Sequence, residues 1–256
     1  MPEKTIGLIA AMPEEILPFI RRIGPVKREK LAGFTIYQFH AGNKNVCLIE
    51  SGIGITRAAQ ATRVVIDTAA PDVLLNFGFG GAILPGPTVG DVVVAEQVLL
   101  FKERLFAHQG GLAMNLTGEL AAAIENKCQG SGFHILHGAF ITTGEIVGKR
   151  MLAGYLPAGT TNPLVEMETS GIARVAHERQ VPLVALRAIS DDADEELGFS
   201  ITDFTDRKMR VSIGKVLWAL LRKPRLLPQL IRLGRNSRCA GENLAEAVLA
   251  ALEGFS

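Results

Sequence analysis

Four carboxylates and one arginine in this 256-residue chain sit where chemistry could be done. Glu15 follows the apolar run 5–11, Glu166 and Glu168 flank Met167 in the segment VEME, and Arg187 and Asp191 close the apolar run 182–190. A glycine cluster, Gly78-Phe79-Gly80-Gly81, ends another apolar run. Carboxylates gathered around one cation can divide labour, because one kept protonated serves as an acid while another kept ionised serves as a base. Glycines let backbone amides come close to a ligand. Each feature alone has a plain reading: an acid in a first helical turn favours the helix dipole, and glycine-rich turns are often only turns. Their shared place beyond the carboxyl ends of strands, where α/β sheets bind ligands, points to one site.

Other chemistries find no support. The glycine cluster lacks the GxGxxG spacing, and no GKS or GKT phosphate loop or GxSxG elbow occurs, which argues against dinucleotides, nucleoside triphosphates and acyl transfer. Three cysteines without CxxC spacing and five scattered histidines predict no disulfide scaffold, no metal site and no cofactor, and the cysteines read as small buried hydrophobes. A net charge of +1 gives no reason to expect nucleic acid as a partner. No apolar run reaches the roughly 18 to 20 residues of a membrane span, so a cytoplasmic protein is expected.

These residues need elements to hold them. Apolar runs of strand length alternate with stretches of helical period, the pattern of an α/β fold in a single domain over residues 1–256. Strands are predicted at 5–11, 34–40, 45–51, 72–77, 90–100, 134–143, 164–167 and 182–190. Helices are predicted from Pro13, at 55–69, 117–128, 168–179, 207–223 and 240–253. The strand at 72–77 is expected to end in a turn at the glycine cluster.

The segments AMPEE (11–15), SGIG (51–54), NFGFGG (76–81), GDVVV (90–94), VEME (165–168) and RAISD (187–191) resemble, in this order, the purine nucleoside phosphorylase and methylthioadenosine/S-adenosylhomocysteine nucleosidase superfamily, most closely its nucleosidase branch. The resemblance spans about 5–206 and implies a three-layer α/β/α fold around a mixed sheet, homodimers or larger oligomers, and cleavage between a purine base and ribose. It implies that Asp191 protonates the base, that Glu168 accepts hydrogen bonds from the ribose hydroxyls with Met167 beneath the sugar, and that Glu15, assisted by Arg187, handles the attacking water. Glu166, Phe79, Gly80, Val147 and Gly148 are implied to complete the substrate site. A carboxylate at the nucleophile position favours water over phosphate, since two anions there repel. Phosphorolysis, a futalosine-type hydrolase and a catalytically weak nucleoside-binding protein remain as alternatives.

The chain departs from that pattern. Phe79 stands where the nucleosidases carry serine, Val147 where a base-stacking phenylalanine is usual, and Leu99-Leu100-Phe101 where a His-Asp pair is usual. This predicts a greasier pocket and a bulkier or more apolar 5′ group. Residues 222–238 hold six basic residues and no acid, interleaved with leucines, leaving 21 basic against 26 acidic residues elsewhere. Such a basic amphipathic insertion suits a subunit interface, a solvated face, weak contact with a membrane surface or an acidic ligand or protein, with Pro224 and Pro228 leaving only a short helix.

Overall fold

The computed structural model describes residues 3–194 and 227–255. Its strands are β1 (Lys4–Ala10), β2 (Lys27–Leu31), β3 (Phe34–Ala41), β4 (Lys44–Glu50), β5 (Val73–Ala82), β6 (Val92–Lys102), β7 (Leu105–His108), β8 (Ile135–Thr143), β9 (Leu164–Glu166) and β10 (Leu183–Asp191). Its helices are α1 (Pro13–Ile23), α2 (Ile55–Ala69), α3 (Met114–Lys127), α4 (Lys149–Tyr155), α5 (Thr169–Arg179) and α6 (Leu227–Gly254). The sheet is mixed: β1 runs parallel to β4 and β5, while β2, β3 and β4 pair antiparallel. Helices α1, α3 and α6 cover one face through a core that includes Phe19, Phe77, Ile124, Leu186 and Val248. Helices α2 and α5 cover the other, through Ile9, Ala61, Val65, Leu74 and Ile172. This is the three-layer α/β/α arrangement expected.

One part of the sheet closes on itself. β5 pairs with β10, β10 with β6, β6 with β8, β8 with β9, and β9 returns to β5. Strand ends that an open sheet would spread along one edge are thereby gathered around a common centre. The closure also corrects the expected end of β5. The strand runs through the glycine cluster to Ala82, because β10 pairs with it as far as Gly81 and β9 pairs with Gly81 and Ala82.

The prolines in α1 and α6 act locally. Pro13 opens α1, where a missing N–H costs nothing. Pro18 has no N–H to offer the Glu14 carbonyl, and α6 crosses at that point through Gly241, where a Cβ would lie 3.3 Å from that oxygen and 3.2 Å from Pro18 Cγ. The expected break before residue 240 is absent: α6 is one 28-residue helix with Pro228 in its first turn, where proline is tolerated. Within the basic stretch, Arg232, Arg235, Arg238 and Ile231 are exposed and Asn236 is buried. Residues 222–226 and the predicted helix 207–223 lie outside the described residues. Cys47 and Cys128 are buried as expected, but Cys239 is exposed.

Candidate active site

Glu15 is the third residue of α1 and turns back over the helix start. Its Oε2 accepts the N–H groups of Ala11 at 2.8 Å and Met12 at 2.9 Å, and its Oε1 accepts the Phe79 N–H at 2.9 Å. The helix-capping and functional readings of this residue therefore coincide: the N–H groups that need an acceptor fix the carboxylate at the end of β1 and beside β5. Glycine at position 78 makes room, since a Cβ there would lie 2.7 Å from Oε1. Burial pushes the Glu15 carboxyl above its ordinary value, opposed by the Arg187 charge and by the three N–H groups.

Glu168 approaches from the start of α5. Its Oε1 accepts the Gly54 N–H at 2.9 Å, at the start of α2. The two helices meet closely because residue 171 is glycine; any side chain there would overlap the Ile55 carbonyl. Burial and the nearby Glu166 and Glu15 carboxylates, against the opposing pull of Arg187, push Glu168 up to about 8. Met167 beside it is half-buried.

Glu166 is engaged differently. Its Oε1 accepts the Thr142 hydroxyl, and its Oε2 accepts the Arg187 guanidinium at 2.8 Å, the Thr169 hydroxyl at 2.7 Å and the Glu168 and Thr169 N–H groups at 2.9 and 2.8 Å. Burial would raise this carboxyl, but Arg187 and these donors hold it below its ordinary 4.5. Arg187, 1% exposed, also donates to Asn76 Oδ1 at 2.9 Å and Thr169 Oγ1 at 2.8 Å and lies over the Phe140 ring. Its reach to Glu15 is electrostatic. The Glu166–Arg187 pair thus forms a buried ionic core near Glu15 and Glu168.

Asp191 ends β10. Its Oδ1 accepts the Ser190 hydroxyl at 2.6 Å, and its Oδ2 is paired with Lys149, the first residue of α4. Nothing in the local sequence marks Lys149. A basic residue amid Gly148-Lys149-Arg150 reads as surface, yet its side chain is buried.

The apolar departures are mostly core. The Phe79 ring packs against the cluster beneath α1 and α6, with Cζ 3.5 Å from where a Gly241 side chain would begin, so the backbone N–H of Phe79 is what reaches Glu15. Leu99 and Phe101 are buried with Ile83, Ile141 and Leu152, and Val147 packs on that cluster. Leu99 and Phe101 thus belong to the interior, while Phe79 and Val147 are only partly buried. Gly80 is buried against Leu164, and Gly148 is exposed just before α4. Arg57 donates to the Ser51 carbonyl at 3.0 Å and stacks on Phe34.

A family model described as the phosphorylase superfamily matches residues 5–222. This chain belongs to that superfamily. Among its relatives, the 5′-methylthioadenosine/S-adenosylhomocysteine nucleosidase of Glaesserella parasuis is 31% identical over 209 residues, covering 78% of this chain and 90% of the relative. The enzyme of the same name from Actinobacillus succinogenes is 30% identical over 225 residues, covering 84% and 97%. A solved nucleosidase of that name from Neisseria meningitidis, in complex with methylthio-immucillin-A, shares the superfamily fold with a TM-score of 0.73 at 22% identity, covering 98% of this chain and 100% of that one. The futalosine hydrolase of Helicobacter pylori shares it with a TM-score of 0.73 at 19% identity, covering 98% of each chain.

Proposed function

We propose that this superfamily member is a nucleosidase that hydrolyses the N-glycosidic bond of a purine nucleoside modified at its 5′ position. The observation behind this reading is Glu15: a buried carboxylate fixed by three N–H groups at the end of β1, with Glu168 within electrostatic reach. In this mechanism Glu168 accepts hydrogen bonds from the ribose hydroxyls and Met167 lies beneath the sugar. Asp191 passes a proton to the base as the bond to the anomeric carbon breaks and its electron pair leaves with the base. Water attacks that carbon and gives its proton to Glu15, whose proton affinity is raised by burial. Glu166 acts indirectly, by holding Arg187, whose charge opposes the effect of burial on Glu15.

Phosphate is the weaker co-substrate. A phosphate beside Glu15 would meet a fixed anion, and Arg57, the one candidate donor in SGIG-Ile55-Thr56-Arg57, is engaged with Ser51 and Phe34. The names of the relatives, methylthioadenosine and S-adenosylhomocysteine nucleosidases, support a 5′-thio-modified nucleoside. The test is base release from methylthioadenosine, S-adenosylhomocysteine, adenosine, inosine and futalosine, each with and without inorganic phosphate. Free base and free reducing sugar in phosphate-free buffer are expected. A strict phosphate requirement, or no base release from any of the five, overturns the reading.

A further inference from the structure

The pairing of Asp191 with Lys149 bears on how the departing base obtains its proton. Lys149 Nζ contacts the Asp191 carboxylate and donates to the carbonyls of Asp191 at 3.2 Å and Asp192 at 2.6 Å, so all three ammonium protons have acceptors at the end of β10. The two side chains are only 8% and 15% exposed. The fold makes room for them at one more glycine of the cluster. A Cβ on Gly81 would lie 2.5 Å from Asp191 Oδ2 and 2.9 Å from Lys149 Cε.

Both Asp191 oxygens are taken up by donors, Oδ2 by the Lys149 ammonium and Oδ1 by the Ser190 hydroxyl, so the proton nearest the carboxylate is the one on Lys149. Burying the pair is also a poor route to stability alone, because desolvation offsets most of the attraction. We propose that Lys149 and Asp191 form one proton-donating unit, in which Lys149 supplies the proton and Asp191 hands it to the base. This rests on the nucleosidase reading above and on Asp191 as the group facing the base.

The step balances within the reaction. A proton moves from Lys149 Nζ to Asp191 Oδ2 and on to the ring nitrogen of the purine, while the bond to the anomeric carbon breaks and its electron pair goes to the base. Water bonds to that carbon and its proton goes to Glu15. The proton on Glu15 returns through solvent to the neutral Lys149 amine, leaving the enzyme as it began. An ammonium group suits this role chemically, since a departing purine anion becomes amine-like in basicity as the bond breaks and donors work best when the two are comparable. Lys149 acts through Asp191 and need not touch substrate.

The test compares two substrates that share 5′-methylthioribose: methylthioadenosine, whose base needs a proton, and the p-nitrophenyl glycoside of the same sugar, whose phenolate leaves unprotonated. Lys149→Met is expected to lower kcat on methylthioadenosine by about 10²–10³-fold, the range of a lost acid catalyst, with KM nearly unchanged. On the p-nitrophenyl substrate kcat should stay within about threefold, since nothing there needs the proton. Asp191→Asn should show the same selectivity, and the double variant should be little worse than either single one, as for residues acting as a unit. Should Lys149→Met fail to fold, Lys149→Gln keeps a donor for the carbonyls but has no proton to supply, and the same selectivity is expected of it. Equal losses on both substrates would make Lys149 a strut for the end of β10 and overturn the proposal, as would unchanged turnover of methylthioadenosine. A wild-type protein that cleaves the p-nitrophenyl glycoside but no nucleoside refutes the nucleosidase reading itself, and the proposal with it.

Discussion

Replacing Glu168 by glutamine should make the ligand-free protein more stable, and increasingly so as pH rises. Folding moves this carboxyl from its ordinary 4.5 to about 8, chiefly through burial and the nearby Glu166 carboxylate. Between those values the folded chain holds a proton that the unfolded chain has released, so stability falls with rising pH. The group's cost is absent below about pH 4.5 and fully present above about pH 8. At about 1.4 kcal/mol per pH unit, the displacement amounts to roughly 5 kcal/mol. Glutamine can still accept the Gly54 N–H but does not titrate, so the difference in unfolding free energy between Glu168→Gln and wild type should widen by about 1.4 kcal/mol per unit from pH 5 to 8. Urea unfolding of both proteins at pH 5, 6, 7 and 8 measures it. Parallel stability curves would refute the reasoning, since Glu168 would then titrate alike in the folded and unfolded chains. The same variant should bind sugar poorly, because a carboxylate that destabilises the empty site is the acceptor the ribose hydroxyls need.

Arg187→Met removes the cation from a buried carboxylate that keeps its other donors, and is expected to cost about 3–5 kcal/mol in urea unfolding; pairing it with Glu166→Gln should recover part of this, and a loss under about 1 kcal/mol would show that the pair is not an ionic core. Gly78→Ala places a methyl group 2.7 Å from Glu15 Oε1. A carboxylate displaced by about 1 Å should lower kcat by about 10²-fold while the folded chain remains, and full activity would separate Glu15 from catalysis.

The order of strands and helices was legible in the chain, because hydrophobic period, proline at a first helical turn and short apolar runs are local signals. The places of Glu15, Glu168 and Asp191 near strand ends were also legible, whereas Arg187, expected there with Asp191, lies in the middle of β10 and is buried. Strands β2 and β7 and helix α4 were not legible: KREKL is largely exposed, the short β7 shows no buried face, and α4 has only seven residues. The glycine cluster was legible as special but not for its reason. Its glycines stand opposite the side chains of Glu15, Leu164 and Asp191, which come from distant segments of the chain.

The sequence by itself determined which ionisable groups this protein has and, for Glu15, Glu168 and Asp191, which strand end each lies near. Only the tertiary structure decided what each group is. Closure of the strand ring buries Glu166 against Arg187 and holds it ionised, while Glu168, two residues away, has no ion pair among the described residues and is pushed to about 8. The same folding brings Lys149 onto Asp191 across 42 residues of sequence. Proton affinity depends on burial and on charges nearby in space, and neither is a property of neighbours along the chain.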